Sequence, residues 1–148
     1  MERLPRWLMA MALLCAVMTV GGTADAEPDA TLPTMASEKI LAELAKTDLD
    51  AVAGEAAKYM GSDASGSLKN NFASIKNLGQ SQYTDLVYSR DYGQTEKDMI
   101  YKIDFDKAFA FVRFTWHVDN GNWHLIHLQY KTENDLPFPS GWEHIYPK

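Results

Sequence analysis

The fold of this chain is decided by residues 108–132, which read AFAFVRFTWHVDNGNWHLIHLQYKT. Apolar and polar residues alternate through much of this stretch, and a period of two is typical of a half-buried β-strand. Asn120-Gly121 divides the stretch, and this dipeptide is the strongest short-range signal for a β-hairpin. The sequence therefore predicts two long antiparallel strands, 108–118 and 122–132, joined by a tight turn.

The register of this hairpin decides which side chains share a face, and two registers are open. A two-residue turn places Trp116 opposite Leu125 and His117 opposite His124. A three-residue loop with Gly121 in the left-handed conformation shifts the pairing by one, and we favour it because it separates apolar from mixed residues better. In that register one face holds Ala110, Val112, Phe114 and Trp116 beside His124, Ile126, Leu128 and Tyr130, and the other holds Phe109, Phe111, Arg113, Thr115 and His117 beside Trp123, Leu125, His127 and Gln129.

Two further strands, 82–92 and 96–105, precede the hairpin, and their short turns predict an antiparallel meander. Upstream, apolar residues recur at helical spacing from Ser37, read as an N-cap, to a stop at Gly61. A second helix is predicted from about residue 65 or 67 to Leu78. The predicted fold class is α+β, with two N-terminal helices packed on one face of a curved four-stranded antiparallel sheet.

The two ends of the chain are predicted to differ from the domain between them. Residues 1–26 have the order of a secretory signal peptide: Arg3 and Arg6, an apolar run, then small residues before Glu27. The predicted divisions are a signal peptide at 1–26, a linker at 27–35, an α+β domain at 36–132 and a Pro/aromatic tail at 133–148 that packs on the domain. We expect a periplasmic or secreted protein that has no membrane span after signal cleavage.

Cysteine content and charge narrow the function classes. The single cysteine, Cys15, lies in the predicted signal peptide, so the exported domain is expected to contain no disulfide, thiol nucleophile or redox pair. The net charge is −6, and the charges are scattered without a basic stripe. Nucleic acid and an anionic membrane surface are therefore not expected as partners.

From Leu68 to Leu128 the layout resembles exported proteins of the nuclear transport factor 2-like (cystatin-like, ketosteroid-isomerase-like) superfamily. The residues that carry the resemblance are Leu78-Gly79, Asp85-Leu86-Val87-Tyr88, Met99 to Ile103, Phe109 to Trp116, and Gly121-Asn122-Trp123-His124-Leu125. The resemblance implies helices in a concave sheet, dimers formed through the sheet face, and in some members a pocket at the wide end. Enzymes of the superfamily use an Asp or an Asp/His pair with a Tyr, and no such motif can be matched here.

The histidines His117, His124, His127 and His144 are the first candidates for a metal site. His124 and His127 are three apart on one strand, so they are expected to point to opposite faces. In the favoured register His117 and His127 lie roughly 13 Å apart, too far to share an ion. Only the two-residue turn brings His117 and His124 together. We predict no metal site and no cofactor.

Two groups on the mixed face are candidates for a ligand site or an interface. Arg113 and His127 are expected to pair across the hairpin beside Thr115 and Gln129, where they either hold an anionic group or form an exposed polar patch. The second group consists of the apolar residues Phe109, Phe111 and Trp123. An exposed apolar surface marks a contact, and we expect a homodimer contact or the tail to cover it. The ligand or interface candidates are Phe109, Phe111, Arg113, His117, Trp123 and His127.

The predicted function is a non-catalytic binding or protein-interaction module, acting as a homodimer, for an envelope protein or a small hydrophobic or anionic ligand. One alternative is a small-molecule carrier or isomerase-like enzyme with a pocket between sheet and helices. Its candidate lining is Tyr88, Tyr101, His124 and Tyr130. Another alternative is an inhibitor of an exported hydrolase. We name no catalytic residue.

Overall fold

The computed structural model describes residues 28–61, 64–132 and 135. The predicted signal peptide at 1–26 lies outside the described residues, and so does the predicted tail at 133–148 apart from Asp135. Element order is three helices, one 3-10 helix and then four strands. This confirms the α+β class, with helices followed by a curved, open, antiparallel sheet.

Each of the two predicted helical segments is divided in the structure. The first becomes α1 (Leu32–Ala45) and α2 (Leu49–Met60), and the second becomes α3 (Ala64–Asn71) and a 3-10 helix (Ala73–Leu78). The prediction of Ser37 as N-cap is wrong, because α1 begins five residues earlier at Leu32, within the segment predicted as a linker. Pro33 suits that first turn, where its missing N–H loses no intrahelical bond.

The division between α1 and α2 has a local cause. Thr47 adopts a left-handed conformation at φ 58°, which stops the first helix. The carboxylate of Asp48 then accepts a hydrogen bond of 3.0 Å from the backbone N–H of Ala51, so Asp48 is the N-cap of α2. This bond satisfies one of the unpaired N–H groups at the start of a helix. The prediction of one continuous helix from Ser37 to Gly61 is therefore wrong at Asp48.

The four strands are β1 (Ser81–Tyr92), β2 (Glu96–Phe105), β3 (Phe109–Asp119) and β4 (Asn122–Thr132). They form one sheet in the order β1-β2-β3-β4, and every neighbouring pair is antiparallel. The predicted meander is therefore confirmed. We call the face toward the helices the inner face and the opposite one the outer face.

The favoured register of the last hairpin is wrong. Trp116 lies opposite Leu125 and His117 opposite His124, as the two-residue turn requires. Asn120 and Gly121 have φ angles of 50° and 76°, the two positive values of a type I′ turn. The preference for a three-residue loop failed because it allowed only Gly121 a left-handed conformation, whereas Asn120 adopts one too.

A β-bulge at Ile126 also changes which side chains of β4 share a face. The pairing shifts there, so that Thr115 lies opposite His127 and Phe114 opposite Leu128. The extra residue reverses the alternation along β4, and His124 and His127 consequently share the outer face, contrary to the prediction. Trp123 is also placed differently from the prediction: it lies opposite Val118, on the inner face, and packs against the core.

The core lies between the helices and the inner face of β2, β3 and β4. Trp116 is fully buried there, with its ring edge-to-face against Tyr59 at 5.3 Å between centroids. Its indole Nε1 donates a 3.0 Å hydrogen bond to the hydroxyl of Ser37, which is also fully buried. Ser37 therefore satisfies a buried donor in the core, a role that its sequence position did not reveal.

Candidate functional site: a polar cleft on the outer face

An open cleft of about 880 Å³ extends around the β4 edge of the sheet, from outer-face residues of β3 and β4 to the inward-facing Phe72, Leu128 and Tyr130. We call it the outer-face cleft. Strands β3 and β4 supply most of its lining, and the N-terminal end of β2, the end of α3 and Asp135 supply the rest. Its lining residues are Asn71, Phe72, Glu96, Arg113, Thr115, Ile126, His127, Leu128, Gln129, Tyr130, Lys131 and Asp135.

A buried carboxylate supports the floor of the outer-face cleft. The side chain of Asp98 on β2 is 2 % exposed, and Arg113 lies across the strand pair at 23 % exposure. Arg113 donates from Nε to Oδ1 at 2.9 Å and from Nη2 to Oδ2 at 2.7 Å. Thr115 donates a third hydrogen bond, of 3.0 Å, to Oδ1. Both carboxylate oxygens are thus occupied, and this two-pronged geometry fixes the direction of the guanidinium.

This arrangement affects the protonation of Arg113. The hydrogen bonds that Arg113 donates to Asp98 raise the pKa of the Arg113 guanidinium above its ordinary value, and burial opposes that effect. Arginine is protonated at any pH at which proteins are normally studied. Arg113 therefore presents a permanent positive charge, but one that Asp98 largely neutralises.

Sequence reasoning missed Asp98. The signal that was available is the alternation of β2, because Asp98 and Ile100 occupy the outer face between inner-face Met99 and Tyr101. A single aspartate near a strand end looks like an ordinary solvated residue. Its partner was identifiable only from the pairing of β2 with β3, in which Asp98 lies opposite Thr115 and diagonal to Arg113.

The four polar residues predicted on the mixed face do meet in the outer-face cleft, with different partners. Arg113 lies opposite Gln129, and Thr115 lies opposite His127. The predicted direct pair of Arg113 with His127 is therefore wrong, since the two-residue turn and the bulge move each partner two positions along β4. The four side chains nevertheless share one face and one cleft.

The charges in the outer-face cleft nearly balance. Arg113 and Lys131 are positive, while Glu96 and Asp135 are negative. Lys131 is 3.9 Å from Asp135, and both side chains are partly exposed, so solvent weakens this ion pair. With Asp98 beneath Arg113, the site does not offer the excess positive charge that a strongly anionic ligand would favour.

The other interface candidates are spread across the sheet. Phe109 and Phe111 lie on the outer face of β3, where their rings pack edge-to-face at 5.5 Å and both residues are half-buried. His117 is exposed near the hairpin turn, opposite Glu96 on one side and His124 on the other. Trp123 faces the core, and its buried indole N–H has no hydrogen-bond partner among the described residues.

The four candidates for an enzyme pocket are not brought together. Tyr101 is 4 % exposed in the core, edge-to-face with Phe114, and burial raises the pKa of its hydroxyl to about 12. Tyr130 also faces inward, stacks near Phe72 at 4.8 Å and shares a hydrogen bond with the Ser74 hydroxyl. Tyr88 and His124 lie on the outer face of different strands, opposite Ile100 and His117.

Glu96, His117 and His124 form a row across three strands at the hairpin end of the outer face. Within residues 28–61 and 64–132, no group of three or more His, Cys, Asp or Glu side chains is arranged to hold a metal ion. This row therefore carries no metal-site assignment.

Comparison with known proteins identifies no family for this chain. No protein-family model matches it, and no curated protein is significantly similar to it. Among the described residues, no helix has both the length and the apolar character needed to cross a lipid bilayer.

Proposed function

We propose that this chain is an exported, non-catalytic binding module of nuclear transport factor 2-like shape, and that the outer-face cleft holds a small polar ligand. Export is inferred from the signal-peptide pattern at residues 1–26. The superfamily is inferred from the residues that carry the resemblance, together with the order of helices before a four-stranded meander.

The observation that carries the binding proposal is the convergence of polar side chains in the outer-face cleft. Small-molecule sites typically have volumes of about 300–1,000 Å³ and a few well-placed polar groups. The outer-face cleft has about 880 Å³, and Arg113, Thr115, His127 and Gln129 all line it. Asp98 holds Arg113 and Thr115 in fixed orientations before any ligand arrives, which lowers the entropy lost on binding.

The same contacts make Asp98 unsuitable as a general base. A general base must reach a substrate proton with a free oxygen or nitrogen. Both oxygens of Asp98 already accept hydrogen bonds from Arg113 and Thr115. The carboxylate is also 2 % exposed, so a ligand in the cleft meets the guanidinium rather than Asp98 itself.

The charge balance of the outer-face cleft selects the class of ligand. Arg113 and Lys131 are equal in number to Glu96 and Asp135 and opposite to them in sign. A ligand that is neutral overall, with separate positive and negative groups, therefore fits better than a simple anion. We expect a zwitterion of the size of a dipeptide, with its carboxylate toward Arg113 and its ammonium toward an acidic residue.

The test is a titration followed by two-dimensional ¹H–¹⁵N NMR with three probes: diglycine, succinate and sucrose. The proposal expects diglycine to shift amide signals of Thr115, His127 and Gln129 in a saturable way, with smaller effects from the other probes. His127→Ala should weaken diglycine binding at least about fivefold, which is the loss of one hydrogen bond of about 1 kcal/mol.

His124→Ala is the matched control, because His124 is an exposed histidine on the outer face of the same strand and does not line the cleft. It should leave diglycine binding unchanged. The proposal is wrong if none of the three probes gives saturable shifts on β3 and β4, or if both histidine variants have the same effect. Preferential binding of succinate would reject the proposal that the ligand is a zwitterion and would still support the outer-face cleft as the binding site.

A further inference from the structure

Strand β1 carries most of the exposed large apolar side chains in the described part of the chain. Tyr83, Leu86, Val87 and Tyr92 are 60 %, 49 %, 41 % and 39 % exposed. Only Met35 and Ile126 of the described large apolar residues are comparably exposed elsewhere. Concentrated apolar exposure of this kind marks a contact surface.

The helices leave this strand uncovered. Leu86 lies on the inner face opposite Tyr101, yet Leu86 is 49 % exposed while Tyr101 is 4 % exposed. The helical layer therefore ends over β2. Strand β1 is also the edge of the sheet, since no described strand lies beyond it. An edge of 12 residues presents a row of backbone groups able to pair with another strand.

We infer that β1 is the docking surface for a second copy of this chain. The two β1 strands pair antiparallel about a two-fold axis, and the two sheets continue into one of eight strands. Such an isologous contact requires β1 to be complementary to itself. This inference does not depend on the outer-face cleft, because the cleft lies at the β4 edge of the sheet and β1 is the other edge.

The faces of β1 restrict how two copies can pair. Opposed residues in an antiparallel pair must point to the same face. The pairing with β2 shifts between Leu86 and Tyr88, so the alternation reverses at Val87. The outer face of β1 then holds Tyr83, Asp85, Tyr88, Arg90 and Tyr92, and the inner face holds Thr84, Leu86, Ser89 and Asp91. A register that pairs residues before Val87 with residues after it must bring together side chains of the same face. Two registers do so: one places Asp85 opposite Arg90 of the second copy, and the other places Asp85 opposite Tyr88 of the second copy.

Charge selects the first of these registers. It places Asp85 opposite Arg90 of the second copy, and the two-fold axis makes this contact occur twice. Neither residue forms a salt bridge with a described residue of its own chain. Asp85 accepts a hydrogen bond from the Tyr83 hydroxyl, and Arg90 interacts with Tyr88 and lies over the ring of Tyr92 at 4.7 Å. Opposite charges directly across a strand pair stabilise it, and like charges destabilise it.

The first experiment is a charge exchange measured by size-exclusion chromatography with multi-angle light scattering, over a series of protein concentrations. The unchanged chain should elute as a dimer. Arg90→Asp and Asp85→Arg should each raise the dimer dissociation constant at least about tenfold, because each creates two like-charge contacts. The double variant Asp85→Arg/Arg90→Asp should restore the dimer, since both contacts are rebuilt with reversed sign.

His124→Glu is the control, because it adds a charge to the outer face of β4, away from β1 and outside the outer-face cleft, and should leave the dimer intact. Circular dichroism and the urea midpoint of each variant establish that it is folded. The inference is overturned by a chain that stays monomeric at every concentration, which is also what pairing of β1 with a different protein would give. It is equally overturned if the single charge variants dimerise as well as the unchanged chain.

Cysteine cross-linking tests the register separately. The only natural cysteine is Cys15, within the predicted signal peptide. In the proposed register Leu86 meets Ser89 of the second copy, so Leu86→Cys/Ser89→Cys should oxidise to a covalent dimer. Leu86→Cys alone should cross-link at least about tenfold more slowly, since disulfides need Cβ atoms about 3.5–4.5 Å apart. Equal cross-linking of the single and double variants would reject the register.

Discussion

Replacing Asp98 by asparagine tests whether the buried ion pair organises the outer-face cleft. Asp98→Asn keeps the shape of the side chain and removes its charge, leaving the Arg113 guanidinium without a counter-ion. Removing one partner of a buried pair typically destabilises a protein by about 3–5 kcal/mol. Arg113 is 23 % exposed and can turn partly to water, so we expect a loss of about 2–3 kcal/mol in the free energy of unfolding.

The reverse substitution should be worse. Arg113→Met leaves the Asp98 carboxylate, which is 2 % exposed, with the Thr115 hydroxyl as its remaining side-chain donor among the described residues. We expect a loss of about 3–5 kcal/mol for this variant. In the double variant both charges are gone, and its loss should be smaller than the sum of the two single losses by at least about 1.5 kcal/mol.

Urea denaturation of the four proteins, monitored by tryptophan fluorescence, measures this cycle. The reasoning is refuted if the two losses add within about 0.5 kcal/mol, because residues that do not interact behave in that way. It is also refuted if Asp98→Asn is neutral, since a buried carboxylate with three hydrogen bonds cannot lose its charge without consequence.

Three further substitutions test individual contacts, each by urea denaturation. Ser37→Ala leaves the fully buried indole N–H of Trp116 unsatisfied and should cost about 1–3 kcal/mol. Asp48→Ala removes the cap on the Ala51 N–H and should cost about 1 kcal/mol. Burial raises the pKa of Tyr101 from 10.0 to about 12, so the unfolded chain ionises first and the free energy of unfolding falls between pH 10 and 12, by roughly 2–3 kcal/mol at most. Tyr101→Phe should make that fall shallower.

For each of these three substitutions, one outcome would contradict the contact on which the prediction depends. A neutral Ser37→Ala variant would mean that the buried indole finds another acceptor. An Asp48→Ala variant as stable as the unchanged chain would mean that the start of α2 is held by packing alone. If Tyr101→Phe and the unchanged chain lose stability equally between pH 10 and 12, other groups account for the alkaline transition.

Part of the candidate site was predictable because it follows from alternation. Arg113 and Thr115 are two apart on β3 and His127 and Gln129 two apart on β4, so each pair shares a face. The cross-strand partners of these residues were not predictable, because the bulge at Ile126 shifts the register and no Gly or Pro in the sequence indicates it. Asp98 was missed for a related reason: its importance depends on being covered, and burial is a property of the assembled sheet.

The amino-acid sequence alone determined the class and order of the elements. The local properties that matter are the period-two alternation, the Asn120-Gly121 turn and the stop signals at Gly61 and Gly79. Because short turns join consecutive strands, those strands must pair antiparallel. The tertiary structure decided the register of the last hairpin, the burial of Asp98 and the exposure of β1. These depend on how far the helices extend across the sheet, and that extent is set by packing between residues distant in sequence, such as Ser37 against Trp116.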